Sequence, residues 1–393
     1  MILGLKNNRA VILHQGVYKP VASVSEAVFM LTGMTIGAGI LGIPYVVAQV
    51  GLKIGLAYIL ILGAVMMCLN LMLGEIAVRT REPMHLPGFA GKYLGPGAKL
   101  LTSFMMIFSA FGVLLAYIIG EGEALSALFG GNPVWWGVLF WGIGSYIVWR
   151  GLRAAKKAEK VLSFIVICLI AGLSFFLLPK FQVANWQYIN IANLFLPYGV
   201  ILFALHAGPA VVEAHALLPG SERHFRKAIV IGSLIPVAVY ALFALAVAGV
   251  MGAGATEVAT VGLGQMGRGA LFVGNLFAIL AMGTAFFGQG VALKQLFIWD
   301  FKLNRHLSEL LVIFFPLFLF MLGLRSFVAV LDVVGGVFIG ITAMLTVLVC
   351  WRARSAGDLP ASRYNLHHFW LLAVPVFAAF ALAAILSIMK LAN

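Results

Sequence analysis

Residues 33–45, Gly-Met-Thr-Ile-Gly-Ala-Gly-Ile-Leu-Gly-Ile-Pro-Tyr, put four glycines and a proline inside an apolar run long enough to cross a bilayer. A continuous helix disfavours both residue types. Backbone that leaves the helix at membrane depth must be buried in protein or line a wet cavity, because lipid satisfies no amide. The stretch therefore predicts a broken helix whose freed backbone groups hold something small and polar. A second break is predicted at Leu205-His206-Ala207-Gly208-Pro209, where Pro209 removes a helical hydrogen bond and Gly208 eases unwinding; a simple proline kink is the plain alternative.

Titratable side chains within apolar runs are costly and default to function. His206 stands at the second break and titrates near neutrality when unperturbed, so it reads as a proton carrier or ligand contact, or else as a neutral histidine bonded to loose backbone. Among the acidic residues, Glu75, Glu213 and Asp332 fall clearly inside spans. Glu75 is a proton relay or an anchor for a nearby arginine or helix N-terminus. Glu213, seven residues after His206, is a relay or an inner-gate ion pair. Asp332 forms an outer gate or is solvated, with Arg325 as a partner. Cys68, Cys168 and Cys350 lack metal-ligand spacing and read as small buried apolar residues.

The elements that carry these residues follow from composition. The chain has 393 residues, 63% hydrophobic and 10% charged, with a mean hydropathy of +1.06. Apolar runs of roughly 18 residues or more recur throughout, so the class is an all-α polytopic membrane protein in one integral domain, 1–393. Eleven spans are expected, at 24–49, 54–78, 100–121, 134–149, 161–178, 192–218, 228–252, 270–293, 308–323, 327–350 and 367–389. No cleavable leader is read before the first, which acts as the insertion signal. With the N-terminus in the cytoplasm and the C-terminus outside, 21 of the 26 Lys and Arg residues lie in inside segments, leaving Lys53, Lys180, Arg268, Arg325 and Lys390 outside. The net charge of +13 is thus spread over loops that set topology and touch the lipid bilayer, and nucleic acid is not an expected partner. The expected location is the inner (plasma) membrane.

The first and sixth spans are both broken, five spans apart. Five crossings invert the topology of the second unit, so residues 20–180 and 190–350 read as two inverted repeats, with 366–390 as an eleventh helix. In that arrangement half-helix N-termini offer amides to a carboxylate, while unwound carbonyls receive an ammonium group or a cation.

At these residues the chain resembles the hydroxy and aromatic amino acid permeases, of the amino acid/auxin permease group in the amino acid-polyamine-organocation superfamily, which share the LeuT fold. The resemblance rests on Gly33–Tyr45, on Leu73-Gly-Glu75 through Arg79-Thr-Arg-Glu-Pro-Met-His-Leu-Pro87, on Phe203-Ala-Leu-His206, on Phe225–Tyr240 and on Thr284-Ala-Phe-Phe-Gly288. It implies ion-coupled uptake of an amino acid by alternating access. It places the substrate carboxylate at Gly37, Ala38 and Gly39 and its amino group at carbonyls around Phe203, Ala204 and Leu205, beside His206. It also implies a candidate sodium site at Gly33, Ile36, Ala281 and Thr284. Sodium-dependent members usually carry a hydroxyl at the position of Ala285, and some carry Asn at that of Gly33. The departures favour protons as the driver over sodium, and no other cofactor is expected.

The expected function is therefore proton-coupled symport of a neutral, aromatic or hydroxylated, amino acid. Sodium-coupled symport is the alternative, and a non-transporting amino acid sensor is the alternative of another class. No obligate protein partner is expected. An enzyme is not expected, since no catalytic pair or metal cluster lies within the spans, and no phosphate-binding Gly-rich Lys loop supports a nucleotide-driven pump.

Overall fold

The computed structural model describes residues 2–6, 9–14, 17–20, 23–82, 84–150, 155–218, 222–299, 301–359 and 364–392. Ahead of the first span lies an antiparallel sheet, β1 (Ile2–Lys6), β2 (Arg9–His14) and β3 (Val17–Pro20), in the order β1-β2-β3. The rest is helical, and helices occupy all eleven expected places.

Helix α1 (Val24–Thr35) opens with a capping box. Ser23 Oγ accepts from the Glu26 amide, and Glu26 accepts from the Ser23 amide. After a break at residues 36–38, α2 (Gly39–Val50) departs at 59°. Then follow α3 (Leu52–Arg79), the short α4 (Leu86–Leu94), α5 (Pro96–Phe129), α6 (Pro133–Arg150), α7 (Ala155–Leu177) and the short α8 (Val183–Gln187). The sixth span is α9 (Pro197–Ala204) and α10 (Gly208–Leu217), interrupted at residues 205–207 but running on as one span. The remainder comprises α11 (Glu222–Met251), α12 (Arg268–Trp299), α13 (Arg305–Met321), α14 (Phe327–Val333), α15 (Gly340–Ala356) and α16 (Phe369–Ala392). A π-helical turn, Val334–Ile339, joins α14 to α15 and packs on α9 and α16.

Among the described residues, seven spans are long and apolar enough to cross a membrane, and the bent α1–α2 pair makes eight. The other three expected spans correspond to α6, α7 and α13, which are shorter or partly outside the described residues. Rows of exposed apolar side chains, such as Ile61 on α3, Trp135 on α6 and Leu371 on α16, suit lipid and not water. Helix α5 runs eight residues beyond its expected end, through Gly122 to Phe129, and stops at Gly130-Gly131, both of which have positive φ. Helices α4 and α8 and the N-terminal sheet were not expected. Cys168 also departs from expectation: it lies exposed on α7, whereas Cys350 is buried and Cys68 half-buried.

Helix α11 forms the spine of the bundle, touching α3, α1, α2 and α7, and α5 is clasped by α12 and α6. Both halves of the first span reach α11, and α2 also packs on α9, so the two breaks share one region of the core.

Candidate functional site

At the first break the Ile36 amide bonds to Thr32 O and the Gly37 amide to Thr35 O. The amides of Ala38 and Gly39, at the start of α2, have no acceptor among the described residues. Two free donors at a helix N-terminus form a local positive pole suited to a carboxylate. Gly39 meets the second break directly: a Cβ there would fall 2.6 Å from Ala204 Cα and 3.1 Å from Phe203 Cδ1. The predicted residues Gly39, Phe203 and Ala204 are thus brought into contact.

At the second break α9 ends at Ala204. The Leu205 amide bonds to Ile201 O and the His206 amide to Phe203 O. The C-termini of α1 and α9 both present carbonyls here, a negative pole opposite the start of α2. Tyr240 of α11, fully buried, sits between them, with its hydroxyl 2.8 Å from Thr35 O and 3.0 Å from Ala204 O. One O–H proton cannot fully serve two acceptors, so the two carbonyls compete for it. Tyr117 of α5 completes the wall, its hydroxyl 3.9 Å from where a Cβ on Gly37 would lie.

His206 turns away from this contact. Its ring lies over Gly208, and its Nδ1 is buried without a hydrogen-bond partner among the described residues. It lines a cavity of about 50 Å³ with Asn70, His85, Pro209, Thr342 and Thr346, room for a few waters but not for an amino acid. The cavity runs from the second break towards the α4 end of the bundle, where His85 stands.

The other predicted residues are placed separately. Glu75 is fully buried and ion-paired with Arg79 at 2.8 Å and Arg354 at 3.4 Å, and it accepts from the Leu366 amide. Glu213 is exposed on α10 and does not line the His206 cavity. Asp332 is buried and its Oδ1 accepts from the Gly199 amide at 3.2 Å, in the first turn of α9. That position makes it a negative partner for the α9 N-terminus, not a solvated group; Arg325 lies over the Phe320 ring. For the candidate sodium set, the Thr284 hydroxyl bonds to Leu280 O and Ala281 O within α12. Helix α12, which carries Ala281 and Thr284, packs on α5 and α7. Among the described residues no cluster of His, Cys, Asp or Glu could hold a metal ion.

Three residues were missed by sequence reasoning: Tyr240, Tyr117 and Glu121. Tyr240 lies within a stretch that carried the resemblance, one turn beyond Pro236, and its polar tip in an apolar helix was the available signal. Glu121 was placed at the end of the third span. The helix-compatible run 124–129 beyond it was the signal that the span continues.

A family model described as the tryptophan/tyrosine permease family matches residues 21–385. Glutamine transporter 2 of Aliivibrio fischeri is 24% identical over 355 residues, spanning 86% of this chain and 91% of its own. Tyrosine-specific transport systems 1 and 2 of Haemophilus influenzae are each 26% identical, spanning 84% and 83% of this chain and 88% and 86% of their own lengths. The crystal structure of MhsT in complex with L-phenylalanine aligns with a TM-score of 0.64 at 17% identity, covering 93% of this chain and 98% of that one. At that identity the likeness bears on the fold alone, which is LeuT-like.

Proposed function

The chain belongs to the tryptophan/tyrosine permease family, and we propose that it drives a neutral amino acid with a large side chain across the cell membrane by proton-coupled symport. It is a multi-pass membrane transporter of amino acids and not an enzyme.

One observation carries the finer reading. Free amides at the start of α2 face carbonyl-bearing ends of α1 and α9 across the Gly39–Ala204 contact. A zwitterion is the ligand class whose two charges match those poles. The carboxylate belongs at Gly37, Ala38 and Gly39, and the ammonium at carbonyls of Phe203, Ala204 and Leu205. Phe203 and Tyr117 supply aromatic walls, in keeping with relatives named for tyrosine and a structural neighbour holding L-phenylalanine. Residues 20–180 and 190–350 act as the two inverted repeats that rock about this site, with 366–390 outside them and the N-terminus in the cytoplasm.

Proton coupling is supported by His206, whose buried Nδ1 has no partner among the described residues and whose ring lines a small cavity with Asn70 and His85, and by Ala285, which offers no hydroxyl beside Thr284. Glu75 is already neutralised by two arginines and Glu213 stands apart, so His206 is the proton-handling group of the three.

Purified protein in proteoliposomes, given labelled tyrosine or phenylalanine and an inward pH gradient without sodium, is expected to accumulate label. Accumulation only with sodium overturns the coupling, and no exchange of any neutral amino acid overturns the transport reading.

A further inference from the structure

We propose that Glu121 is the site that holds the driving proton. The inference rests on the proton-coupled reading above and adds to it a residue on a different helix from either break.

Glu121 lies in α5 and is fully buried. Both of its carboxyl oxygens lack a hydrogen-bond partner among the described residues. Its two flanking glycines explain how it comes to be sealed. A Cβ at Gly120 would lie 2.6 Å from the Met282 sulfur of α12, and one at Gly122 would lie 2.5 Å from Pro133 O and 3.1 Å from the Gly137 amide nitrogen of α6. Gly-Glu-Gly is therefore where α5 is pressed against both neighbours. The carboxyl points at a third glycine, Gly283, where an added Cβ would be 3.3 Å from Glu121 Oε1 and 3.9 Å from the Phe140 ring. Three glycines around one carboxyl leave it room but supply no partner.

No charge faces it. On α5, Tyr117 is one turn back and carries only a hydroxyl, while Glu123 is half-buried and lies near Glu257. Helix α12 presents Gly283 and α6 presents Phe140. The ionisable groups of other helices on α5 are engaged elsewhere: Glu309 of α13 with Lys294 and Arg305, and Asp332 of α14 with the Gly199 amide. An ionised carboxylate held there without a partner is far costlier than the neutral acid. In this arrangement the carboxyl is therefore protonated.

The cost disappears when water reaches the junction, so ionisation and separation of α5 from α12 favour each other. The chemical step is one proton adding to one carboxylate oxygen, with loss of the negative charge, and its return to water on opening. No other bond changes. Glu121 shares a face of α5 with Tyr117, four residues earlier, which borders the first break. Closure of the substrate site and burial of the protonated carboxyl are thereby parts of one helix movement.

The test compares wild type with E121Q in proteoliposomes, reading substrate exchange and accumulation under a pH gradient. At one proton per substrate, a gradient of one pH unit supports about tenfold accumulation. E121Q, a permanent mimic of the protonated state, is expected to exchange substrate but show no gradient-driven accumulation and no substrate-induced proton uptake. Accumulation by E121Q equal to wild type overturns the proposal, whereas a wild type that exchanges nothing overturns the transport reading instead. Should E121Q not fold, infrared difference spectra of the wild type decide. A protonated-carboxyl band at neutral pH that vanishes on conversion to the open form supports the proposal, and its absence overturns it.

Discussion

Gly39 and Ala204, 165 residues apart, touch so closely that a methyl group on Gly39 would fall 2.6 Å from the Ala204 Cα. The obstacle is backbone, which cannot swing aside as a flexible side chain can. Gly39→Ala is therefore expected to push the start of α2 off the end of α9 at about 1–3 kcal/mol of overpacking cost. Because the same contact sets the free amides opposite the carbonyls, amino acid affinity should fall about tenfold or more. Scintillation proximity binding of labelled phenylalanine measures this, and unchanged affinity refutes the site.

Tyr240 ties together the carbonyl ends of two half-helices, through Thr35 O and Ala204 O. Tyr240→Phe keeps the ring and removes the donor, leaving two buried carbonyls facing each other. A loss of about 1–3 kcal/mol in thermal stability is expected. Added substrate should restore more stability in Tyr240→Phe than in wild type, because its ammonium replaces the lost donor. Equal ligand-induced shifts of Tm in the two proteins would count against Tyr240 lying beside the ammonium position.

Much of this was legible in the sequence because helix breaks are local. Gly33–Tyr45 and Leu205–Pro209 announce themselves by residue types that membrane helices disfavour, whatever packs around them. Lipid imposes span lengths, so hydropathy located helices at all eleven places. Partnership was not legible. Whether Asp332 meets Arg325 or the Gly199 amide depends on the approach of α9 to α14, 133 residues apart in sequence. Glu121 was hidden for a different reason: charged residues mark span ends in most helices, and only the packing of α6 and α12 over the Gly-Glu-Gly turn puts this one inside.

Glu75 is enclosed by charges that need it. Arg79 and Arg354 both reach its Oε1, and Arg354 also bonds to Asn365 and to Leu366 O. Glu75→Gln leaves a nearly buried Arg79 without a counter-charge, and stability should fall by about 3–5 kcal/mol. The signature is a lower Tm with substrate affinity preserved in the folded fraction. A variant as stable as wild type that has lost its pH dependence would instead make Glu75 a relay.

Asp358, in the segment after α15, bonds to Lys92 of α4 and accepts from the Arg81 amide at 3.0 Å. Lys92 first, and the Arg81 amide second, hold the Asp358 carboxyl below its ordinary 3.8, while the same bond raises Lys92 above its ordinary 10.5. The link is thus fully present between those two ordinary values. It is lost on the acid side as pH falls through the lowered Asp358 value, and on the alkaline side as pH rises through the raised Lys92 value. The protection of the Arg81 amide against hydrogen exchange, taken relative to the intrinsic rate at each pH, should be high near neutrality, fall in acid, and be low at neutral pH in Asp358→Asn. Protection in Asp358→Asn equal to wild type would show that the link holds nothing in place.

His206 and Glu121 divide the handling of the proton between them. His206 lines a small cavity that also borders Asn70 and the exposed His85, whereas Glu121 is sealed between α5, α6 and α12. A group on a water-accessible route controls how fast a proton leaves; a sealed group controls whether it is carried. His206→Gln should therefore flatten the pH dependence of the uptake rate and slow turnover, yet leave the final accumulation ratio under a fixed pH gradient unchanged. Uptake time courses in proteoliposomes at several internal pH values separate rate from endpoint. An unaltered pH profile returns His206 to a structural role at the α9–α10 break, and loss of the endpoint would move the driving proton from Glu121 to His206.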